Sequence, residues 1–221
     1  MRSPLRWLTV AALFGLMTPA GAGARPRKKT QHNDATFSYY LLSLSYAPDF
    51  CAQPTGNKDP RECGTGRHVG FVVHGLWPQV EGGPGPENCG PASPVAENIV
   101  RATLNYIPTE SLIQHEWATH GTCTGLTASD YFTFVRRARD MIKIPDSLQA
   151  PVRALRLNPE EIEARMAAAN PNFPRGAFRV SCYRDAELQE VRIALNKDLS
   201  PRVYGSGGGS CRTTVTINPV R

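Results

Sequence analysis

Six cysteines constrain the fold of this 221-residue chain more than any other feature, and they are Cys51, Cys63, Cys89, Cys123, Cys182 and Cys211. An even number of cysteines in an exported chain implies disulfides. Six cysteines can pair in 15 ways, and their spacing alone does not choose among them. We favour Cys51–Cys63, Cys89–Cys123 and Cys182–Cys211. Each bridge would stabilise the fold by ~2–4 kcal/mol, chiefly by restricting the unfolded chain.

A leader of the kind that directs export precedes the cysteines. Arg2 and Arg6 make its start positively charged, an apolar run covers residues 8–17, and Ala22-Gly23-Ala24 fits a signal-peptidase site. The apolar run is too short to span a membrane, which takes about 20 apolar residues. We predict a cleaved signal peptide over residues 1–24, a secreted or periplasmic protein, and no membrane anchor.

The rest of the chain is predicted to be a short tail followed by one domain. Residues 25–35 are polar and basic, which favours a flexible segment. Removing residues 1–24 lowers the net charge from +6 to +4, because two arginines and no acidic residue are lost. This mildly basic balance suits a polyanionic partner but does not require one. Residues 36–221 show no internal repeat and are predicted to form a single domain with a substantial core.

Strand patterns lie near both ends of this domain, and helical patterns lie between them. Residues 37–46 and 68–74 are typical of buried strands, the second a central one, and further strands are predicted within 177–195 and 213–217. Helices are predicted between residues 93 and 170, the first beginning at Ser93-Pro94. This order indicates an α+β fold, with a central antiparallel β-sheet and several helices packed around it.

The stretch His115-Glu116-Trp117-Ala118-Thr119-His120 contains two of the five histidines, with a carboxylate between them. In a helix, residues four apart share a face, so His115 would lie over Thr119 and Glu116 over His120. A strand or turn is predicted to open this stretch near Leu112. Close polar groups on one helix face rarely serve stability, so we interpret the stretch as a catalytic surface.

A third histidine, His74, ends a predicted strand and begins the run His74-Gly75-Leu76-Trp77-Pro78-Gln79, whereas His32 and His68 have no such neighbours. An imidazole has an unperturbed pKa near ~6.5, so one ring can accept a proton while another donates one. RNA cleavage needs this pair, because the 2′-hydroxyl of the substrate is itself the nucleophile. DNA lacks that hydroxyl and is not expected to be cleaved.

A metal site is the competing interpretation. Zinc proteases carry H-E-x-x-H, with the two histidines four residues apart. Here His115 and His120 are five residues apart and would be turned from one another by about 140°. Glu116 and His120 could still bind a metal with His74, so a zinc hydrolase stays an alternative. We predict no metal and no other cofactor.

The runs from Val73 to Pro78 and from His115 to Cys123 resemble the two active-site segments of the ribonuclease T2 family of secreted acid endoribonucleases. Further similarity extends the resemblance over roughly residues 37–217. It implies a T2-like fold and metal-free cleavage of single-stranded RNA through a 2′,3′-cyclic phosphate, with low base specificity. We expect RNA as the partner and a monomeric protein. A non-catalytic RNA-binding or signalling protein on the same fold is the alternative from another class.

The resemblance also implies roles for individual residues. By position, His120 resembles the general base and His74 the general acid of the family. His115 resembles its phosphate-binding histidine, and Glu116 the residue that assists charge at the transition state.

The resemblance implies substrate contacts at Trp77, Thr119 and Gln79. Trp77 occupies a position that helps to hold a base in the family. Many relatives have lysine where this chain has Thr119, and a neutral hydroxyl there stabilises a phosphorane less than a charged amine does. Gln79 stands where some relatives have an aspartate in a base pocket, so the base preference is left open.

Overall fold

The computed structural model describes residues 36–54, 59–64, 66–184, 186–205, 209 and 211–220. The signal peptide and the basic segment expected from the sequence lie outside the described residues. The elements within them are β1 (Tyr39–Tyr46), α1 (Ala47–Ala52), α2 (Pro60–Cys63), β2 (Phe71–Gln79), α3 (Glu97–Thr103), α4 (Glu110–Thr119), a 3₁₀ turn (Gly121–Cys123), α5 (Ala128–Asp140), α6 (Asp146–Gln149), β3 (Leu155–Leu157), α7 (Pro159–Ala169), β4 (Phe178–Cys182), β5 (Leu188–Asn196) and β6 (Val215–Ile217).

The larger sheet is antiparallel with strand order β2-β1-β5-β4, while β3 and β6 form a separate pair. β1 is interior, and its aromatic and leucine side chains are buried on both faces. The prediction that residues 68–74 form a central strand is wrong, because β2 lies at the sheet edge. Its apolar residues are nevertheless covered, since the chain before α4 runs along this edge and the Val73 N–H donates to the Tyr106 carbonyl at 3.0 Å.

Helices α4 and α5 pack against β2, and α5 also contacts β1. Tyr131 on α5 is fully buried, and its hydroxyl donates to the Leu76 carbonyl of β2 at 3.0 Å. Ile113 and Val135 are likewise fully buried. Burying an apolar side chain of this size stabilises a fold by roughly 1.5–3 kcal/mol. The helices are thereby fixed against the sheet, which confirms the predicted α+β class.

Two helix starts differ from the sequence prediction. The first helix was expected at Ser93-Pro94 but α3 begins at Glu97, because the side chain of Gln114 accepts from the Val95 N–H at 2.8 Å and holds this segment against α4. The predicted strand or turn near Leu112 is also wrong. Thr109 caps α4 by accepting from the Leu112 N–H at 3.2 Å, so the helix already includes that residue.

The disulfides in the structure are the three pairs favoured on the sequence, Cys51–Cys63, Cys89–Cys123 and Cys182–Cys211. The middle bridge joins the loop after β2 to the 3₁₀ turn after α4. It therefore ties together the two segments that carry the predicted histidines. None of the described helices combines the length and the hydropathy required to cross a membrane.

Candidate active site

The two predicted motifs meet where β2 faces α4. His74 lies on β2, His115 and Glu116 lie on α4, and His120 immediately follows that helix. The structure thus brings the four predicted catalytic residues into one region from two separate parts of the chain.

His74 is positioned by an irregularity in the pairing of β2 with β1. Ser43 pairs with Gly75 and Leu44 pairs with Val73, which leaves His74 as the extra residue of a β-bulge. A bulge breaks the regular alternation of side chains and re-aims one of them, and bulges are frequent beside active sites.

The His74 ring reaches across β1 to Glu190 on β5. His74 Nδ1 lies 2.6 Å from Glu190 Oε1, and Arg192 lies 2.8 Å from Glu190 Oε2. Burial alone would lower the pKa of His74, but the hydrogen bond and charge of Glu190, with the charge of Glu116, outweigh it and raise that pKa. Against its own burial, Glu190 has its pKa lowered to about 2 by His74 and Arg192. The pair therefore favours a protonated His74.

Neither Glu190 nor Arg192 is among the site residues predicted from the sequence. Both lie on β5, where Val191 and Ile193 alternate with them and face the core. A polar residue at every second position is the ordinary pattern of a solvent-facing strand surface. Here that polar face meets the active site instead, and Glu190 is only 2% exposed.

Glu116 is fully buried between the two motifs. Its Oε2 accepts from Trp77 Nε1 at 2.9 Å, while its Oε1 lies 3.7 Å from His74 Nε2 and has no hydrogen-bond partner among the described residues. This approach requires glycine at position 75, since a Cβ there would lie 1.8 Å from Glu116 Oε2. Burial raises the pKa of Glu116 to about 7, although the charge of His74 and the Trp77 hydrogen bond oppose it.

His120 has a different environment from His74. The residue ends α4, its side chain is largely buried, and its Nδ1 has no partner within the described part of the chain. Burial, followed by the positive charges of His115 and His74, lowers the pKa of His120 to about 4. The His120 ring is therefore neutral over most of the pH range in which His74 is protonated.

The remaining predicted substrate-binding residues differ in their distance from the histidines. The ring of Trp77 lies near both His74 and His120, with centroid distances of 5.1 and 5.5 Å. Thr119 Oγ lies 3.4 Å from His115 Nδ1, the contact expected for residues four apart on a helix. Gln79 lies five residues along β2 from His74, and its amide donates to the adjacent Pro78 carbonyl at 3.0 Å.

A cavity of about 430 Å³ opens beside His74 and His115. Its wall includes the side chains of Phe50 and Leu112 and the largely buried Glu62. This volume is in the range of cavities that bind small organic groups. In the described residues, no three His, Cys, Asp or Glu side chains are arranged as the ligands of a metal ion.

The family model described as "Ribonuclease T2 family" matches residues 37–204. A protein described as "Ribonuclease" from Aeromonas hydrophila is 33% identical over 197 residues, which cover 86% of this chain and 85% of that protein. A "Probable ribonuclease" from Haemophilus influenzae is 30% identical over 163 residues, or 68% of this chain and 57% of that protein.

Among solved structures, trichomaglin, described as a novel S-like ribonuclease, superposes with a TM-score of 0.68 at 19% identity. The superposition covers 84% of this chain and all of that one. At this level of identity the likeness concerns the fold, and it agrees with the α+β architecture and its antiparallel sheet.

Proposed function

Because the chain belongs to the ribonuclease T2 family and is a T2-type endoribonuclease, we propose that it cleaves single-stranded RNA without a metal ion, by transphosphorylation between two histidines. His120 is the general base and His74 the general acid. The product is a 2′,3′-cyclic phosphate that is hydrolysed slowly or released.

In the first step, neutral His120 takes the proton of the 2′-hydroxyl, and the 2′-oxygen attacks the adjacent phosphorus. The bond from phosphorus to the 5′-oxygen of the next nucleotide breaks. Protonated His74 gives its Nε2 proton to that departing oxygen, since its Nδ1 is held by Glu190. The electron pair of the broken bond remains on the 5′-oxygen, which takes the proton from His74. The step therefore leaves His120 protonated and His74 neutral.

The observation that carries this proposal is the opposite displacement of the pKa values of two histidines that both lie near the Trp77 ring. His74 is held protonated by Glu190, and His120, with a pKa of about 4, is held neutral. Environments that separate the pKa values of two groups allow one to act as acid and the other as base at the same pH. This separation supports the assignment of the two roles.

Glu116 and His115 are proposed to stabilise the charge that develops on the phosphoryl oxygens. Glu116 Oε1 has no hydrogen-bond partner within the described residues and lies near His74 Nε2. With a pKa of about 7, this carboxyl is largely neutral in acid and can donate a hydrogen bond. His115 is exposed one turn before the end of α4, where a protonated ring could bind a phosphate.

The proposal extends to substrate range and location. Low base specificity is expected, because the aromatic ring of Phe50 and the apolar side chain of Leu112 in the cavity wall can contact the face of any base. Trp77 is proposed to assist base binding as well as to hold Glu116. Thr119 and Gln79 are proposed as weaker substrate contacts. We further propose export to the periplasm or medium, residues 36–221 as the catalytic domain, and a monomer.

The direct test is incubation of the oxidised mature protein with single-stranded RNA in excess EDTA, with the product ends identified by mass. Ends carrying a 2′,3′-cyclic phosphate are expected, and an all-deoxy strand of the same sequence should remain intact. Cleavage that is lost in EDTA and restored by zinc would overturn the metal-free mechanism. RNA binding without cleavage under either condition would instead leave a binding protein on this fold.

A further inference from the structure

A second cavity, of about 370 Å³, lies beside β2 and is lined by Arg61, Arg67 and Arg139. Asn105 and Gln149 add amide groups to its wall, and none of the described residues that line it is acidic. Guanidinium and amide groups in a cavity wall that includes no carboxylate are suited to binding anions, phosphate groups above all. We call this cavity the arginine cleft.

The positive charge of the arginine cleft is mostly uncompensated. All three arginine side chains are exposed, and within the described part of the chain Arg61 and Arg67 form no ion pair. Arg139 lies 3.2 Å from Asp140, an exposed pair that contributes little and can be exchanged for another anion. Arg67 Nε donates to the Arg61 carbonyl at 3.0 Å, which holds these two residues in one arrangement.

The arginine cleft adjoins the candidate active site. Val72 contributes to the wall of both the cleft and the cavity beside His74. Val72 and His74 are two residues apart on β2. A strand of RNA that extends from the cavity at His74 past Val72 would therefore come to the arginines.

The proposed reaction indicates which part of the RNA would reach the arginine cleft. His74 protonates the 5′-oxygen, so the part of the substrate beyond the cleaved bond, on its 3′ side, lies next to His74. We propose that the arginine cleft binds the backbone phosphates of the RNA on the 3′ side of the cleavage point. This inference rests on the proposed function and adds to it a site that favours long strands over dinucleotides.

The test compares RNA probes that differ in where the strand is extended. A dinucleotide, the same dinucleotide with three nucleotides added on the 3′ side, and one with three added on the 5′ side are prepared with every 2′-hydroxyl methylated, so that none can be cleaved. Binding to the full mature protein is measured by fluorescence anisotropy. We expect the 3′ extension to lower Kd by about tenfold at low salt, and the 5′ extension to have a much smaller effect.

The triple variant Arg61→Gln/Arg67→Gln/Arg139→Gln should lose the gain from the 3′ extension and still bind the dinucleotide as before. The slope of log Kd against log salt should fall by about 2, since each phosphate contact to a single strand contributes ~0.7. Its matched control is Arg101→Gln/Arg153→Gln/Arg156→Gln. These three exposed arginines lie outside the cleft wall, and their loss changes the net charge equally.

Four outcomes would overturn the inference. The first three are a gain that follows the 5′ extension, a triple variant that keeps the 3′ gain, and a control variant that loses it to the same degree. The fourth is no gain in the wild-type protein from either extension, which would favour an acidic protein as the occupant of the cleft. Cleavage of the unmethylated dinucleotide is measured in parallel, so failure of the proposed reaction is seen separately from failure of the cleft.

Discussion

His74 and His120 both lie near the indole ring of Trp77, but their surroundings differ in charge. Two glutamates lie near His74, Glu190 of β5 at 2.6 Å and Glu116 of α4 at 3.7 Å. The helix side buries His120 with only the histidines as charged neighbours that shift its pKa. The chemistry of the two side chains is identical, so the acid and base roles proposed for them must come from the elements around them.

The bulge in β2 is what makes the difference possible. In a regular strand, successive side chains point to opposite faces of the sheet. The extra residue changes the direction of the His74 side chain, so that its ring reaches over β1 to β5. His120, at the end of a helix and next to a disulfide-bound turn, has no carboxylate among the groups that shift its pKa. Under the proposed mechanism, sheet register and helix end therefore set the direction of proton transfer.

The largest expected effect tests the roles of the two histidines with substrates that differ in their leaving group. His74→Ala and His120→Ala should each lower kcat on RNA by about 10²–10⁴-fold, the usual contribution of a positioned acid or base. A uridine 3′-phosphate ester of p-nitrophenol needs no acid, because its leaving group departs as a stable anion. On that ester, His74→Ala should recover most of the activity and His120→Ala should not.

The control for both variants is His68→Ala, which removes an exposed histidine outside the site. Equal recovery of His74→Ala and His120→Ala on the ester would contradict the division of roles. Recovery of His120→Ala alone would reverse it.

The next effect concerns Glu190, which acts as a positioning residue through His74. Glu190→Gln removes the charge that raises the pKa of His74, so the ring loses its proton at a lower pH. At neutral pH, kcat should fall by about tenfold, because an opposite charge at contact distance shifts a pKa by roughly 1–3 units. In the profile of kcat/KM against pH, the alkaline limb should move to lower pH while the acidic limb near 4, set by His120, stays in place.

Glu163→Gln is the matched control, because Glu163 pairs with Arg179 at 3.2 Å as Glu190 pairs with Arg192. It should leave both limbs unchanged. A Glu190→Gln variant with lower activity but unmoved limbs would assign Glu190 a purely structural role.

The raised pKa of Glu116 can be tested by measuring stability instead of activity. Its pKa is raised to about 7 by burial, so between its unfolded value of 4.5 and about 7 the folded state binds the proton more tightly. The stability contributed by Glu116 is thus complete below pH 4.5 and declines as the pH rises. Glu116→Gln should raise the free energy of unfolding at pH 7 by on the order of 2 kcal/mol and change it little at pH 4.

Denaturant unfolding at the two pH values measures this difference. The glutamine keeps an oxygen that can accept from Trp77, so a variant destabilised at both pH values would contradict the raised pKa of Glu116. Such a result would place a negative charge beside His74 even in acid and sharpen the contrast with His120.

Much of the site could be predicted from the sequence, because its residues are close together along the chain. His115, Glu116 and His120 are held by one helix, and His74 and Trp77 by one strand, so spacing alone puts them on related surfaces. The three disulfide pairs favoured on the sequence are those in the structure, although spacing alone did not choose them among the 15 possible pairings. The Cys89–Cys123 bridge joins the two motifs.

Glu190 and Arg192 could not be predicted, since their role depends on strand order. β5 is far from β2 in sequence, and in the sheet the two strands lie on opposite sides of β1. Glu190 comes near His74 only because the bulge turns the histidine side chain over β1. The edge position of β2 was missed for the same reason. Its apolar residues are buried by the loop at Tyr106, and burial from a loop leaves no periodic signal in the sequence.

The smallest expected effect comes from Thr119, which faces His115 at 3.4 Å on the helix side. Thr119→Lys adds a positive charge where the phosphorane forms, and we expect kcat to rise by about two- to fivefold, as a charged hydrogen bond is roughly twice as strong as a neutral one. The same charge repels a proton from His120, so the acidic limb should move below pH 4 while the alkaline limb stays. Thr119→Gln, with a long neutral side chain, is the control and should move neither limb. If the lysine variant shifted the alkaline limb instead, the added charge would be acting on His74, and the electrostatic separation of the two sides would be wrong.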